Sequence, residues 1–235
     1  GDNFPRLLRE LDGIPSLERV RFTTSHPKDL SPELMECFGS LNRLCEHIHL
    51  PVQSGSDRVL QRMNRRYSAS QYLEKVRKLK EICPSIAITT DIIVGFPGEE
   101  EGDFRNTLEL MDAVKFDGAF SFKYSIREGT KAASFEDHVE EKVKGVRLTE
   151  LQALQEKHTL ERNRSREGAT EAVLVEGPSR NAAEDMTGRT RSNRIVNFPG
   201  TPAMIGRTLP VKITRACAHS LRGEYTEVEE DFHAG

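Results

Sequence analysis

The sequence predicts an α/β domain of repeated β-α units followed by a small all-β barrel. Three observations carry this. Strand-like and helix-like segments alternate up to about residue 130. Polar residues cluster wherever an apolar strand segment stops: "TTSHP", "QSGSD", "GFPGE" and "YSIREGT". Past Gly168 the hydrophobic period shortens to two, with Gly and Pro turns between the segments. Repeated β-α units imply parallel strands joined by right-handed crossovers. In such folds the ligand sits at the carboxyl ends of the strands, so four polar rims on one sheet edge outline a site.

The elements follow in order. "LERVRFTT" (17–24) is rich in β-branched and aromatic residues and predicts a strand. "SPELMECFGS" (31–40) predicts a helix, with Ser31 as N-cap and Pro32 at the first helical position. "EHIHLPV" predicts the next strand, "SDRVLQRMN" a short helix, and "SASQYLEKVRKLKEIC" a longer one. In the longer helix Tyr72, Leu73, Val76, Leu79 and Ile82 recur at helical spacing. "SIAITTDIIVGF" is apolar on both faces, as a central parallel strand requires. "EEEGDFRNTLELMDAV" predicts a helix with Phe104, Leu108 and Met111 on one side, and "DGAFSFKYS" a further strand.

From about residue 137 to 166 the chain is charged and helical, with Leu148, Leu151, Leu154 and His158 on one stripe. Seven Lys or Arg lie between Lys142 and Arg166; they read as a solvated helix face, with a nucleic-acid face as the other reading. Then "TEAVLVEG", "DMTGRTR", "RIVNFPG", "TLPVKITRA" and "SLRGEYTEV" predict five short strands, which fit a barrel of the oligonucleotide-binding type. The expected domains are residues 1–165 and 166–235.

The totals exclude several classes. A net charge of −3 over 235 residues gives no global attraction to nucleic acid, although an average hides local patches. No run of eighteen apolar residues appears, and the first residues, "GDNFPRLLRELDG", are polar and charged, unlike a signal peptide. Cys37, Cys45, Cys83 and Cys217 form no C-x-x-C or C-x-x-x-C-x-x-C arrangement. They read as small buried residues in a reducing compartment, with no metal ligand among them, and the cytoplasm is the expected location.

Four stretches carry chemistry. Asp91 lies inside an apolar strand, where a carboxylate needs hydrogen-bond partners or a polar cavity. Gly95 and Gly98 around Pro97 allow close backbone approach, while Glu99 and Glu100 complement a helix dipole; a tight turn with ordinary capping is the plainer reading. In "QSGSD", Ser54 or Ser56 caps the next helix on the plain reading, which leaves Gln53, His47 and His49 unexplained. An amide and hydroxyls suit a nucleoside-like ligand and, without a neighbouring base, make a poor nucleophile. Tyr124, Ser125 and Arg127 stand at the last strand end, where Arg127 would clamp a carboxylate or phosphate or be a plain surface arginine. In the β domain Arg189, Arg191, Asn193, Arg194, Phe198, Lys212 and Arg215 read as an RNA-tracking surface or as an ordinary charged β surface.

Taken together, "RFTTSHP", "HIHLPVQSGSDRVLQRMNRRYS", "TTDIIVGFPGE", "FDGAFSFKYSIREGTKAA" and "GRTRSNRIVNFPG" strongly resemble the radical-SAM tRNA methylthiotransferases of the MiaB type, over nearly the whole chain. "HLPVQSGS" looks closer to the tRNA enzymes than to the ribosomal-protein methylthiotransferases. The resemblance implies a partial radical-SAM TIM-like (β/α) barrel and a TRAM domain, an RNA-binding module. It implies addition of a methylthio group to isopentenyladenosine beside the tRNA anticodon. It implies S-adenosylmethionine and two [4Fe–4S] clusters as cofactors, and tRNA and a sulfur donor system as partners. By this resemblance Gln53, Ser54, Ser56, Asp91, Gly95, Tyr124, Ser125 and Arg127 line the S-adenosylmethionine site.

The departure from the family is the missing C-x-x-x-C-x-x-C triplet, together with the N-terminal cluster domain and first two barrel strands. The expectation is therefore a C-terminal fragment, with Gly1-Asp2 as a loop tail, an uncovered edge at 18–24, and no cluster or S-adenosylmethionine cleavage by itself. A stand-alone RNA-binding protein with a non-catalytic half barrel is the alternative. A generic α/β hydrolase fails for want of a nucleophile elbow.

Overall fold

The computed structural model describes residues 3–23, 26–180, 182 and 184–225. The chain divides into two compact units, residues 1–159 and 160–235. The expected loop tail at Gly1-Asp2 lies outside the described residues.

The first unit opens on α1 (Phe4–Asp12), capped by the Asn3 side chain, which accepts the Arg6 N–H, with Pro5 in the first turn. The stretch expected as a strand over 17–24 pairs only at Val20, in a parallel bridge to Leu44. Phe22 instead packs its ring on Phe4 (4.8 Å) and Phe38 (5.6 Å), so helix packing takes the side chain that suggested a strand. The uncovered edge expected there is reduced to one bridge, and Thr24 lies outside the described residues. Helix α2 (Pro32–Ser40) is capped by Ser31 as its sequence predicts.

Three parallel strands form the sheet: β1 (His47–His49), β2 (Ala87–Val94) and β3 (Gly118–Lys123), in that order. β1 is shorter than "EHIHLPV" predicts because Pro51 has no N–H for the ladder. Between β1 and β2 run α3 (Asp57–Arg62) and α4 (Ala69–Ile82); between β2 and β3 runs α5 (Glu101–Val114). Ser68 and Gln71 make a reciprocal capping box on α4. One sheet face is buried: Ile48, Leu50, Ile88, Ile92 and Val94 join Tyr72, Val76 and Leu79 of α4 and Phe104, Leu108 and Met111 of α5 in one core. The Tyr72 hydroxyl donates to the Leu50 carbonyl (2.8 Å) inside it.

Helix α6 (Glu141–Arg164) follows, and the boundary between the units falls within it. Two of its cations do not face solvent. Lys144 and Arg147 are buried, and Arg147 Nη1 donates to Glu99 Oε1 (2.8 Å) and to the Glu99 carbonyl (3.1 Å). Burial raises the Glu99 pKa, while the Gly95 N–H and the Arg147 guanidinium pull against it.

The second unit is a closed five-stranded barrel of β4 (Thr170–Pro178), β5 (Asp185–Arg189), β6 (Ile195–Pro199), β7 (Thr208–Ala216) and β8 (Leu221–Tyr225). Its order is β4-β5-β6-β8-β7, antiparallel except for β6 with β8. Alternate residues fill the interior, among them Val173, Val175, Val196, Phe198, Val211 and Ile213.

Removing Arg147 leaves a buried carboxylate without its cation. Arg147→Met is expected to cost about 3 kcal/mol at neutral pH. The cost shrinks as pH falls through the raised Glu99 pKa, because the protonated acid needs no counter-charge. Urea unfolding of this variant and its parent at pH 7.5 and pH 5 checks both the size and the sign.

Candidate functional site

Because β1, β2 and β3 are parallel and in register, their carboxyl ends share one edge. Past β1 the chain stays tied to β2. Thr90 Oγ1 accepts the Val52 N–H (2.9 Å) and donates to the Leu50 carbonyl (3.0 Å). Gln53 N–H then donates to the Asp91 carbonyl (2.8 Å), and Ile93 N–H donates to the Gln53 carbonyl (3.0 Å). Gln53 adopts φ +70°, a left-handed conformation that costs a residue with a Cβ about 1 kcal/mol. Its side-chain amide makes no hydrogen bond among the described residues. Strain of this kind persists where surrounding structure over-determines it, and it concentrates at functional sites.

Ser54 and Ser56 do something else. Ser54 Oγ lies 3.3 Å from Thr107 Oγ1, and the Gly55 N–H donates to the same oxygen (2.9 Å). Ser56 Oγ donates to Asp103 Oδ1 (2.6 Å) and accepts the Val59 N–H, capping α3. A Cβ on Gly55 would overlap the Asn106 carbonyl, so only glycine lets the turn lie on α5. Burial pushes the Asp103 carboxyl up, but Arg58, Ser56 and the Glu100 N–H together hold it below its usual range. The two hydroxyls expected to line a ligand are buried and lock the β1–α3 turn to α5; the plain capping reading holds for Ser56.

The second face of the sheet carries different residues. His49 Nδ1 lies 3.0 Å from Thr89 Oγ1, and His49 Nε2 lies 3.3 Å from Asp91 Oδ1. His47 Nε2 also reaches Thr89 Oγ1 (3.4 Å). Asp91 thus has the partner that an in-strand carboxylate requires. The alternation of β3 adds Phe120, edge-on to His49 (6.0 Å), and Phe122; they are 61% and 53% exposed. A parallel sheet is normally covered on both faces. Among the described residues this face is only partly covered and presents Asp91 and two exposed phenylalanines beside a largely buried His49. The F-x-F repeat in "AFSFK" was the signal that sequence reasoning passed over.

At the β2 tip Gly95 has φ +70°, and its N–H donates to Glu99 Oε1 (2.8 Å). The stem of Lys144 lies where a Gly95 side chain would be, so a side chain of this protein uses the close approach expected for a ligand. Lys144 Nζ donates to the Tyr124 carbonyl (3.3 Å) and sits over the Tyr124 ring. The Tyr124 ring packs edge-on against Phe96 (5.1 Å), and its hydroxyl is buried without a hydrogen-bond partner among the described residues. Ser125 and Arg127 are exposed beyond β3. The structure therefore brings Gln53, Asp91, Gly95 and Tyr124 to one edge and turns Ser54 and Ser56 away from it.

In the barrel, Arg189 pairs with Glu176 (3.3 Å) and bonds Asn193 Oδ1 (3.2 Å); Arg194 donates to Ser192 Oγ (2.6 Å). Asn193 turns the chain at φ +67°, next to Arg191. Lys212 and Arg215 are exposed on β7. Phe198 is fully buried in the barrel core, so the surface aromatic expected there is a packing residue: the period of two points it inward.

The Gln53 backbone yields a stability prediction. Gln53→Gly relieves the left-handed strain and adds unfolded-chain entropy, which leaves stability within about 1 kcal/mol of the parent. Gly55→Ala has no space and is expected to cost about 2 kcal/mol. Chemical denaturation of both variants checks the contrast.

Residues 1–111 match the radical SAM superfamily and residues 164–226 the TRAM domain. The chain is 55% identical over 98% of its length to the tRNA-2-methylthio-N(6)-dimethylallyladenosine synthase of Syntrophus aciditrophicus. It is 54% identical over 94% of its length to that of Citrifermentans bemidjiense, and 49% over 94% to that of Clostridium botulinum. It spans about half the length of each: 50%, 50% and 49%. Among solved structures, coproporphyrinogen III oxidase of Escherichia coli, a radical SAM enzyme, shares the fold (TM-score 0.52, 17% identity, 65% of this chain and 36% of that one). The three parallel strands are thus part of a radical-SAM α/β barrel and the closed five-stranded unit is a TRAM barrel. With that pairing of units and a match along nearly its whole length, the chain is similar to about half of a tRNA-2-methylthio-N(6)-dimethylallyladenosine synthase, the half that pairs a radical SAM region with a TRAM domain.

Proposed function

We propose that this chain is the part of a tRNA methylthiotransferase that holds the nucleoside end of S-adenosylmethionine and grips the tRNA. The reaction is addition of a methylthio group to N6-dimethylallyladenosine beside the anticodon. The observation that carries the reading is the β1 tip: a strained Gln53 with an unengaged amide, bonded through its backbone to Asp91. An amide and a carboxylate on one edge suit the hydroxyls and base of an adenosine. Tyr124 extends the edge and Gly95 backs it, with the Lys144 stem against its backbone; Ser125 and Arg127, exposed beyond β3, are the residues this reading assigns to closing over the ligand. Ser54 and Ser56 support the site from behind rather than touching the ligand.

S-adenosylmethionine, when bound, supplies the radical chemistry. The residues present do not fit an iron–sulfur cluster. Cys37, Cys45 and Cys83 are buried, and no three His, Cys, Asp or Glu among the described residues gather as a metal site. On this reading the ligands of both clusters lie outside what these residues supply, and a sulfur donor system is a further partner. On the barrel, exposed Lys212 and Arg215 with Arg189, Arg191, Asn193 and Arg194 fit phosphate contact to the anticodon stem-loop. No helix among the described residues is long and apolar enough to cross a membrane; a cytoplasmic location accords with action on tRNA.

The test is genetic and chemical together. The gene carrying this sequence is expressed in a strain lacking the equivalent synthase, and its tRNA nucleosides are analysed by mass spectrometry. The expected result is appearance of 2-methylthio-N6-dimethylallyladenosine, reduced at least tenfold by Asp91→Ala. Unmodified N6-dimethylallyladenosine with the parent gene contradicts the reading; full modification by the variant removes Asp91 from the site.

A further inference from the structure

The chain pairs several of the cations of its first unit with carboxylates. Arg6 lies against Glu10, Arg9 against Glu33, Arg58 against Asp103, Arg62 against Asp137, Arg77 against Glu74, and Arg105 against Glu150. Lys28, Arg65 and Arg66 are not paired in this way, nor are Arg127, Lys131, Lys142 and Lys157, but these three are brought together at one end of β1. Among the described residues none of their side-chain charges meets a carboxylate.

Their place is fixed. Asn64, at φ +57°, ends α3, and the Arg65 N–H closes the turn on the Leu60 carbonyl (2.8 Å). Asp57 Oδ1 accepts the Ala69 N–H (2.7 Å) and pins the far side of the turn. Next to the arginines the Tyr67 hydroxyl donates to the carbonyls of Pro51 (3.2 Å) and Val52 (3.0 Å), which sets the turn at the carboxyl end of β1. The His26 ring packs edge-on against Tyr67 (5.4 Å), and its Nδ1 accepts the Lys28 N–H (3.0 Å), bringing Lys28 to the same end. Burial and then Arg65 lower the His26 pKa, Asp29 opposes them, and Lys28 and Lys75 add smaller lowering, so Arg65 and Lys28 both lie near this ring together with one carboxylate. Three cations with no ion pair among the described residues thus stand on ordered turns at the carboxyl end of β1. In an acidic chain, cations left without carboxylates at a site edge complement a polyanion.

We infer that Lys28, Arg65 and Arg66 form a phosphate-contacting rim that holds the backbone of the RNA strand delivering a nucleoside to the second sheet face. This rests on the tRNA reading above, and it adds a second RNA contact on the first unit, distinct from the barrel. The turn supplies the cations already positioned, so binding orders little new backbone.

The test is binding of a labelled anticodon stem-loop to the 235-residue chain over a range of salt concentrations. The rim variant carries Lys28→Gln, Arg65→Gln and Arg66→Gln; the barrel variant carries Lys212→Gln and Arg215→Gln. Each lost phosphate contact lowers the slope of log affinity against log salt by about 0.7 to 0.9. The rim variant is expected to lose about two units of slope and at least tenfold in affinity near 100 mM salt, multiplying with the barrel variant's loss. Its thermal midpoint is expected to match the parent's, since the three side-chain charges make no ion pair. A rim variant with parental slope and affinity, beside a weakened barrel variant, overturns the rim and leaves the tRNA reading standing. A parent chain that binds no stem-loop overturns the tRNA reading and the rim with it. Displacement of the RNA by inorganic phosphate at matched ionic strength overturns strand recognition in favour of a small-anion site.

Discussion

Two backbone hydrogen bonds, Gln53 N–H to the Asp91 carbonyl and Ile93 N–H to the Gln53 carbonyl, hold the candidate site together. Pro51 interrupts the ladder just before them, Thr90 Oγ1 bridges the gap through Leu50 and Val52, and these two bonds resume the pairing with β2. The tie carries β1 onward beside β2 far enough to set Gln53 above Asp91, at the cost of a left-handed residue. On one side, Thr107 and Asp103 of α5 fix the turn that follows. On the other, Tyr67 fixes Pro51 and Val52, which brings the arginine turn to the same edge. The hydroxyls of "QSGSD" tie the turn to α5, while the Gln53 amide makes no hydrogen bond among the described residues.

The electrostatics follow the same division. Carboxylates that face the helices are matched: Glu99 by Arg147, Asp103 by Arg58. On the second face the acid is matched by a histidine, and a half-exposed Asp91 remains within reach of a ligand. Aromatic surface beside it, at Phe120 and Phe122, gives that face apolar area of a kind that a parallel sheet ordinarily buries. That face therefore mixes a carboxylate–imidazole pair with exposed aromatic rings.

Legibility in the sequence tracked how local each signal was. β2, α4 and α5 were readable because both period and capping lie within a few residues, as with Ser68 and Gln71. α1 was missed although Phe4, Leu7, Leu8 and Leu11 have helical spacing behind Asn3, because its charged residues dominated the reading. The stretch 17–24 was over-read, since composition alone cannot say whether Phe22 pairs in a sheet or packs on helices. The inward turn of Ser54 and Ser56 depends on Thr107 and Asp103, about fifty residues away, and no local pattern encodes that. The same holds for Lys144 at Gly95: a helix-face pattern marks a cation as solvated, and only the fold shows it buried.

The most direct measurement is amide chemical-shift mapping of the isotopically labelled chain titrated with S-adenosylhomocysteine. The account predicts saturable shifts concentrated at Gln53, Asp91, Gly95 and Tyr124, the four positions that converge at the strand tips, with the barrel amides unmoved. Shifts scattered over the surface, or confined to the barrel, would contradict it.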